Sequence, residues 1–450
     1  MKKIFLSILF ICSMFCVIGQ PSTPLKDTTV GLFSSELDSI TSVTGWSGIN
    51  FQKILAGTSY GYISEGLFNG LPSTTFHGNV LNAGGMFNAG NIRIGVTYTG
   101  AIGNGSFFTT ETTENKTSNI SKLINDHNAF ILVGLPIGDL NLGIRGGFNV
   151  SGNRENEEIN SKDTMNKQTM AMRPSIMLGT SLKGANGWTI TPTLNFGFTI
   201  SDAWRTFATV SGDFYSSDLS TEILSYKAYT PSGELGIGVN FPVEEFSLSG
   251  QINYSFDYSF MPEKMSIQVL DDQSVEKHIY RTDERMKNTI TIHTTGRKSL
   301  SDKLTLAARA YIQTSIDKWI SGGTKERTPD TISPYQTTEQ MDITVLPRLY
   351  LAGTYQMNEK VNLSAGVSFD PTTYTYIKSR KYDEGIITGT PKTDSSSHSF
   401  NAPLLSKLGF GMTFTPVQEF VVQLGVTLQS PQKWTSILDG DFRLSATWKK

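Results

Sequence analysis

The sequence predicts an all-β protein: a transmembrane up-and-down antiparallel β-barrel of about 14–16 strands, with a short N-terminal segment ahead of it. Three observations predict this fold. They are an export leader, two-faced segments long enough to cross a bilayer, and a strict alternation of tight and long connections between those segments.

The leader comes first. MKKIFLSILFICSMFCVIGQ places Lys2 and Lys3 before an apolar run that ends at Val17, Ile18 and Gly19. This is the pattern of a secretory signal peptide over 1–19. Both cysteines, Cys12 and Cys16, fall inside it, so the exported chain is expected to carry neither disulfides nor thiol chemistry. No later stretch approaches the ~20 continuous apolar residues of a membrane-spanning helix.

Residues 20–50 form an N-terminal segment with two readings, a plug folded into the barrel or a periplasmic leader. Ser35 is a cap-like start for a short helix. Glu36 and Asp38 are plug candidates that could set carboxylates beside lumenal arginines.

Residues 51–450 carry the barrel. The stretch 246–260, FSLSGQINYSFDYSF, sets Phe246, Leu248, Ile252, Tyr254, Phe256, Tyr258 and Phe260 on one face. Ser247, Ser249, Gln251, Asn253, Ser255, Asp257 and Ser259 fall on the other. The same alternation marks 53–63, 91–100, 140–150, 188–200, 232–241, 304–316, 343–355, 361–369, 404–414, 420–428 and 442–448. Most of these runs match the ~9–11 residues a tilted strand needs to cross a bilayer. Tight connections with Gly, Asn and Pro chemistry (88–90, 136–139, 184–187, 242–245, 357–360 and 416–419) alternate with long polar ones (105–126, 153–167, 202–226, 262–287, 322–340 and 379–399). That order puts every tight turn at one end and every long extracellular loop at the other. Trp188, Tyr254, Tyr258, Phe260, Trp319, Tyr355 and Trp448 near the run ends are expected to form interfacial girdles. Pro174, Pro192 and Pro347 interrupt the apolar parity, at bulges, at rim edges or at a sideways opening.

Export leader, alternation and the terminal strand Phe442-Arg443-Leu444-Ser445-Ala446-Thr447-Trp448 together resemble bacterial outer-membrane β-barrel proteins, of the porin-like or fatty-acid-transporter-like class. In that class a terminal aromatic is read by the barrel-assembly machinery; here Lys449 and Lys450 follow Trp448. The resemblance implies insertion into outer-membrane lipid of a Gram-negative, two-membrane bacterium.

The polar parity supplies the candidate functional residues. Arg93, Arg145, Arg173, Arg297, Arg309, Arg348, Lys407 and Arg443 stand against Glu234, Asp257 and Asp370 as pore-lining groups, an excess that favours anions. The expected function is a channel for passive or facilitated uptake of small, anionic solutes. The alternatives are a plugged transporter of hydrophobic compounds such as fatty acids, and a surface barrel whose loops bind host or cell ligands. Near-neutral charge (net −2) and 11% aromatic residues argue against a nucleic-acid partner and against disorder. No enzyme is expected, and no cofactor. His77, His127, His278, His293 and His398 are scattered, and the acidic run 271–276 lacks the ligand spacing of a calcium loop.

Overall fold

Residues 24–33, 53–65, 74–111, 116–138, 140–159, 163–208, 221–243, 246–269, 275–327, 331–382, 393–401, 404–429 and 441–449 are described in the computed structural model. Among these described residues a five-residue helix, α1 (Pro24–Thr28), precedes eighteen strands. These are β1 (Lys53–Glu65), β2 (Thr74–Ala89), β3 (Ile92–Glu111), β4 (Lys116–Ile137), β5 (Leu140–Ile159) and β6 (Asp163–Lys183). Next come β7 (Thr189–Ala208), β8 (Thr221–Val243), β9 (Phe246–Val269), β10 (Val275–Ser299), β11 (Leu304–Arg327) and β12 (Thr331–Asn358). The last are β13 (Val361–Asp370), β14 (Thr373–Tyr382), β15 (Thr393–Asn401), β16 (Leu404–Val417), β17 (Phe420–Gln429) and β18 (Asp441–Lys449).

The sheet closes on itself. β1 pairs antiparallel with β2 on one edge and with β18 on the other, along registers such as Tyr60↔Asn79 and Tyr60↔Leu444. Two pairs of strands are halves of single staves. β12 meets β13 over Leu349–Asn358 and β14 over Thr337–Val345, while β13 pairs β16 and β14 pairs β15. The eighteen strands therefore make sixteen wall-spanning staves.

Alternation assigns the two faces. On β9, Leu248, Ile252, Tyr254 and Phe256 are exposed, although they are the apolar set. The same holds for Val96 and Ile102 on β3, Ile131 and Val133 on β4, and Ile290 and Ile292 on β10. The buried groups of the wall are mostly polar, among them Thr97, Thr99, Asn141, Ser181, Thr295, Ser364, Gln423 and Ser445. A water-soluble sheet would invert this order. The fifteen residues of 246–260, at about 3.3 Å each and tilted about 45°, climb roughly 33 Å. That matches a hydrocarbon core of about 30 Å. Phe198, Tyr229 and Phe260 stack in sequence at its upper edge, centroids 6.2 and 5.4 Å apart, as an interfacial girdle. Trp319 departs from the expectation. It shares the parity of Asp317, opposite to exposed Ile316, and so belongs to the lumenal side.

The tight ends are built as their residues dictate. Gly90 and Gly138 take positive φ of 63° and 57° in two of the turns. Asn358 Oδ1 accepts the amides of Lys360 and Val361, both at 2.9 Å, and turns β12 into β13. The expected long loops need correction. Much of 105–126, 153–167, 262–287 and 322–340 is strand: β12 alone runs 28 residues. Above the membrane both faces are wet, so the alternation that reveals a strand in sequence fades while the ladder continues. An outward ion network marks this region. Beyond the apolar Ile316, Lys318 Nζ lies 2.8 Å from Glu339 Oε1, and Arg380 and the Tyr382 hydroxyl approach Glu339 Oε2 at 3.8 and 3.3 Å. The Lys318 hydrogen bond, ahead of the Arg380 charge, holds the Glu339 carboxyl below its ordinary range. A lowered pKa contributes stability above the unfolded value and loses it as pH falls through the folded one. Glu339→Gln should therefore flatten the loss of thermal stability from about pH 5 downward, measured by heat-modifiable migration.

The prolines do not sit at bulges. The β6–β7 ladder lacks the pairs that Pro174 and Pro192 would make, without a change of register there. Pro347 keeps its pairing with Ile312 of β11. On its other side, Leu346, Pro347 and Arg348 lie between the β12–β13 and β12–β14 ladders, opposite the break at Pro371 and Thr372.

Candidate functional site: the lumen and its N-terminal occupant

Residues 24–33 lie against the polar side of the wall. The short helix begins at Pro24, where a missing amide costs nothing in the first turn. Thr29 closes the following turn: its hydroxyl donates to Leu25 O at 2.6 Å, and the Phe33 amide donates to Thr29 Oγ1 at 3.2 Å. Thr28 and Thr29 are fully buried, and Thr28 Oγ1 is 3.0 Å from Ser364 Oγ on β13. The wall makes room for them with two glycines. A Cβ at Gly366 would stand 2.6 Å from Thr28 O, and one at Gly409 would stand 2.5 Å from it. Further along, Leu32 packs on Ala307 and Ala352. Arg297 donates to Leu32 O at 2.6 Å, and its guanidinium lies 4.8 Å from the centre of the Phe33 ring. The segment thus bridges the β13/β16 wall and the β10–β12 wall, near the tight-turn end. Glu36 and Asp38 lie outside the described residues, as does the expected helix start at Ser35.

All eleven residues expected to line a pore share the polar parity, opposite the exposed apolar set. They fall into three groups. Arg145 lies over the Phe130 ring at 4.7 Å and interacts with the Glu234 charge. Arg173 donates to Ser232 Oγ at 3.2 Å, and Ser232 is the cross-strand neighbour of Asp257. This group holds both signs.

In the second group Arg443 is tied down. Its Nε reaches Asp441 Oδ1 at 3.0 Å and its terminal nitrogen reaches Oδ2 at 2.8 Å, a forked pair with little exposure. Asp441 was not among the expected residues, because the alternating run was counted from Phe442; its i, i+2 relation to Arg443 is the signal that would have found it. Asp441→Asn should cost about 1–3 kcal/mol of stability, read from urea unfolding, by leaving a shielded guanidinium short of its charge partner. It should also move the zero-current potential toward anions in any conducting form. Asp126 and Asp317 are further acids on the polar parity, beyond the expected set.

The third group is the most basic. On the facing strands β10 to β13 and β16, Thr295, Arg309, Tyr350, Ser368 and Lys407 form one cross-strand row. His293, Tyr311 and Arg348 form the next row away from the tight turns, completed by Asp370. Arg309 Nε donates to Thr295 Oγ1 at 2.8 Å. Arg348 Nε stands 3.0 Å from Asp370 Oδ1 as an ion pair without hydrogen-bond alignment. Arg93, on β3, also lies on the polar parity, across from Asn88 and Gly134.

A closed antiparallel wall with an apolar outer band, an aromatic girdle and a polar interior is a transmembrane β-barrel of the bacterial outer-membrane type. Its solvent is therefore outer-membrane lipid on one side and water on the other. Comparison with solved structures finds other barrels of this kind. The Pseudomonas putida toluene transporter TodX aligns at 9% identity over 97% of this chain and 99% of its own, with a TM-score of 0.42. The Ralstonia pickettii toluene transporter TbuX aligns at 9% identity over 95% of this chain and 97% of its own, with a TM-score of 0.40. CdiB from Acinetobacter baumannii aligns at 11% identity over 89% of this chain and 60% of its own, also at 0.40. No protein-family model matches the chain, and no curated protein does.

Proposed function

We propose that the protein is a plugged outer-membrane channel for passive or facilitated uptake of small solutes, with residues 24–33 as the plug. The observation that carries this reading is the seat of that segment. A polar lumen wall with two glycines hollowed for Thr28 and Thr29, and an arginine turned onto the Leu32 carbonyl, is built to hold a short peptide. Wide barrels otherwise enclose water. The eleven expected charges on the lumenal face are the pore-lining groups, and no catalytic role is assigned to any of them. Assembly by the barrel-assembly machinery belongs to the same proposal.

The test is planar-bilayer conductance of the full chain against a variant lacking residues 20–44, with heat-modifiable migration confirming that both are folded. The variant should conduct steadily while the full chain stays closed or flickers. A folded, silent deletion variant would sink the channel reading.

A further inference from the structure

We infer that the basic, aromatic wall of β10–β13 and β16, just above the plug, is a binding site for a small organic anion that carries a planar ring. The inference rests on the plugged-channel reading for the arrival of the solute, and it narrows that solute to one chemical class.

Position is the first argument. The lumenal rows of this wall are stacked in register. The lowest holds Arg297, Ala307 and Ala352, and it is covered by Leu32 and Phe33. The next row up holds Arg309, Tyr350 and Lys407, and the one after holds Tyr311 and Arg348. The plug is therefore a floor, and these two rows are the wall a solute meets on reaching it from the long-strand end.

Charge is the second. Among the described residues Arg309 has one hydroxyl partner, Thr295, and no carboxylate, and Lys407 has no ion-pair partner. Asp370 offsets Arg348 alone. Arg297 lies close enough to Arg309 to repel it. Like charges gathered on a half-buried wall work against folding unless something negative is delivered to them. Elsewhere in the lumen Arg443 is forked onto Asp441, and Arg145 feels the Glu234 charge. A guanidinium with its terminal nitrogens uncommitted to a carboxylate suits a carboxylate ligand.

Rings are the third. Tyr311 and Tyr350 meet edge to face with centroids 6.1 Å apart, and His293 stacks on Tyr311 at 6.5 Å. They stand in the same two rows as the cations. A flat ring packed against these faces would bring its acid group within reach of Arg309.

A consequence follows for the plug. Arg297 holds Leu32 O, and its neighbour Arg309 pushes against it. An anion on Arg309 offsets that repulsion, so occupancy should steady the Arg297 latch on Leu32 O.

The test is calorimetric titration of the full chain in non-ionic detergent at low ionic strength, with benzoate, benzyl alcohol and inorganic phosphate as probes. Benzoate should bind saturably and tighter than either of the others. Arg309→Gln and Lys407→Gln should each weaken it about tenfold or more, and added salt should weaken it in the parent. Equal binding of benzyl alcohol would overturn the proposal in favour of an apolar site, and equal binding of phosphate would remove the ring from it. Unchanged benzoate affinity in a folded Arg309→Gln or Lys407→Gln protein would place the site elsewhere and overturn it too. Binding is read without current, so the two readings fail separately. A barrel that binds benzoate but never conducts refutes the channel alone, and one that conducts without binding benzoate refutes the site alone.

Discussion

Replacement of Gly409 by valine should dislodge the N-terminal segment and raise single-channel conductance several-fold above the parent. The added Cβ would lie 2.5 Å from Thr28 O, 2.6 Å from Thr28 Cα and 2.9 Å from Thr28 C, all backbone atoms that no rotamer change can move. Relief requires the peptide to leave its seat, because the opposing structure is a hydrogen-bonded barrel wall. Valine itself suits a strand, so β16 and its ladders to β13 and β17 should persist. Gly366→Val meets the same segment from the neighbouring stave, with Thr29 Cα at 2.8 Å, and should act in the same direction. Arg297→Ala is a gentler version. It removes the 2.6 Å bond to Leu32 O and the contact with Phe33, while leaving Thr28 on Ser364, so it should give brief openings rather than a steady pore. If Gly409→Val folds, migrates as a heat-modifiable barrel and conducts like the parent, the segment does not limit the pore.

What the sequence disclosed, and what it hid, follows from the physics of each part. The faces of β9 were legible because lipid and lumen impose opposite demands on successive residues: Ile252 must be apolar and Gln251 need not be. Beyond Phe260 both faces meet water, and the strand from there to Val269 looked like a loop. The tight turn from β10 to β11 carries no such signal either: Ser301 makes it by accepting the amides of Lys303 and Leu304, without glycine or proline. Lumenal placement of Arg309 or Arg348 needed only parity. Their grouping with Lys407 needed the register of four strands, which no single segment encodes. The seat of the plug was least visible of all. Thr28 meets Ser364 across 336 residues, and the glycines that receive it resemble the other strand glycines in sequence.

A charge placed on the outer face should cost far more than the same charge placed one residue away. Ile252 is 55% exposed and stands mid-way along 246–260. Its cross-strand neighbours are Ile237 and Ile292, and Ile292 in turn faces Ile312, so four isoleucines form a belt at one level of the wall. On a protein surrounded by water, an arginine at so exposed a position would change stability by less than about 0.5 kcal/mol. At the middle of a bilayer it should cost about 2–4 kcal/mol, because a guanidinium there has neither water nor a counter-charge. Gln251→Arg is the matched control: the side chain enters the lumenal face, and the loss is that of one hydrogen bond to Asn253 Oδ1, about 1 kcal/mol. Both variants add one positive charge to β9, so net charge cannot explain a difference between them. Urea titration of folding into lipid vesicles measures each one directly. Ile252→Arg should lower the unfolding free energy by at least twice the loss in Gln251→Arg. Equal losses, or the reverse order, would mean that the exposed isoleucine belt faces water and that the barrel does not lie in a membrane.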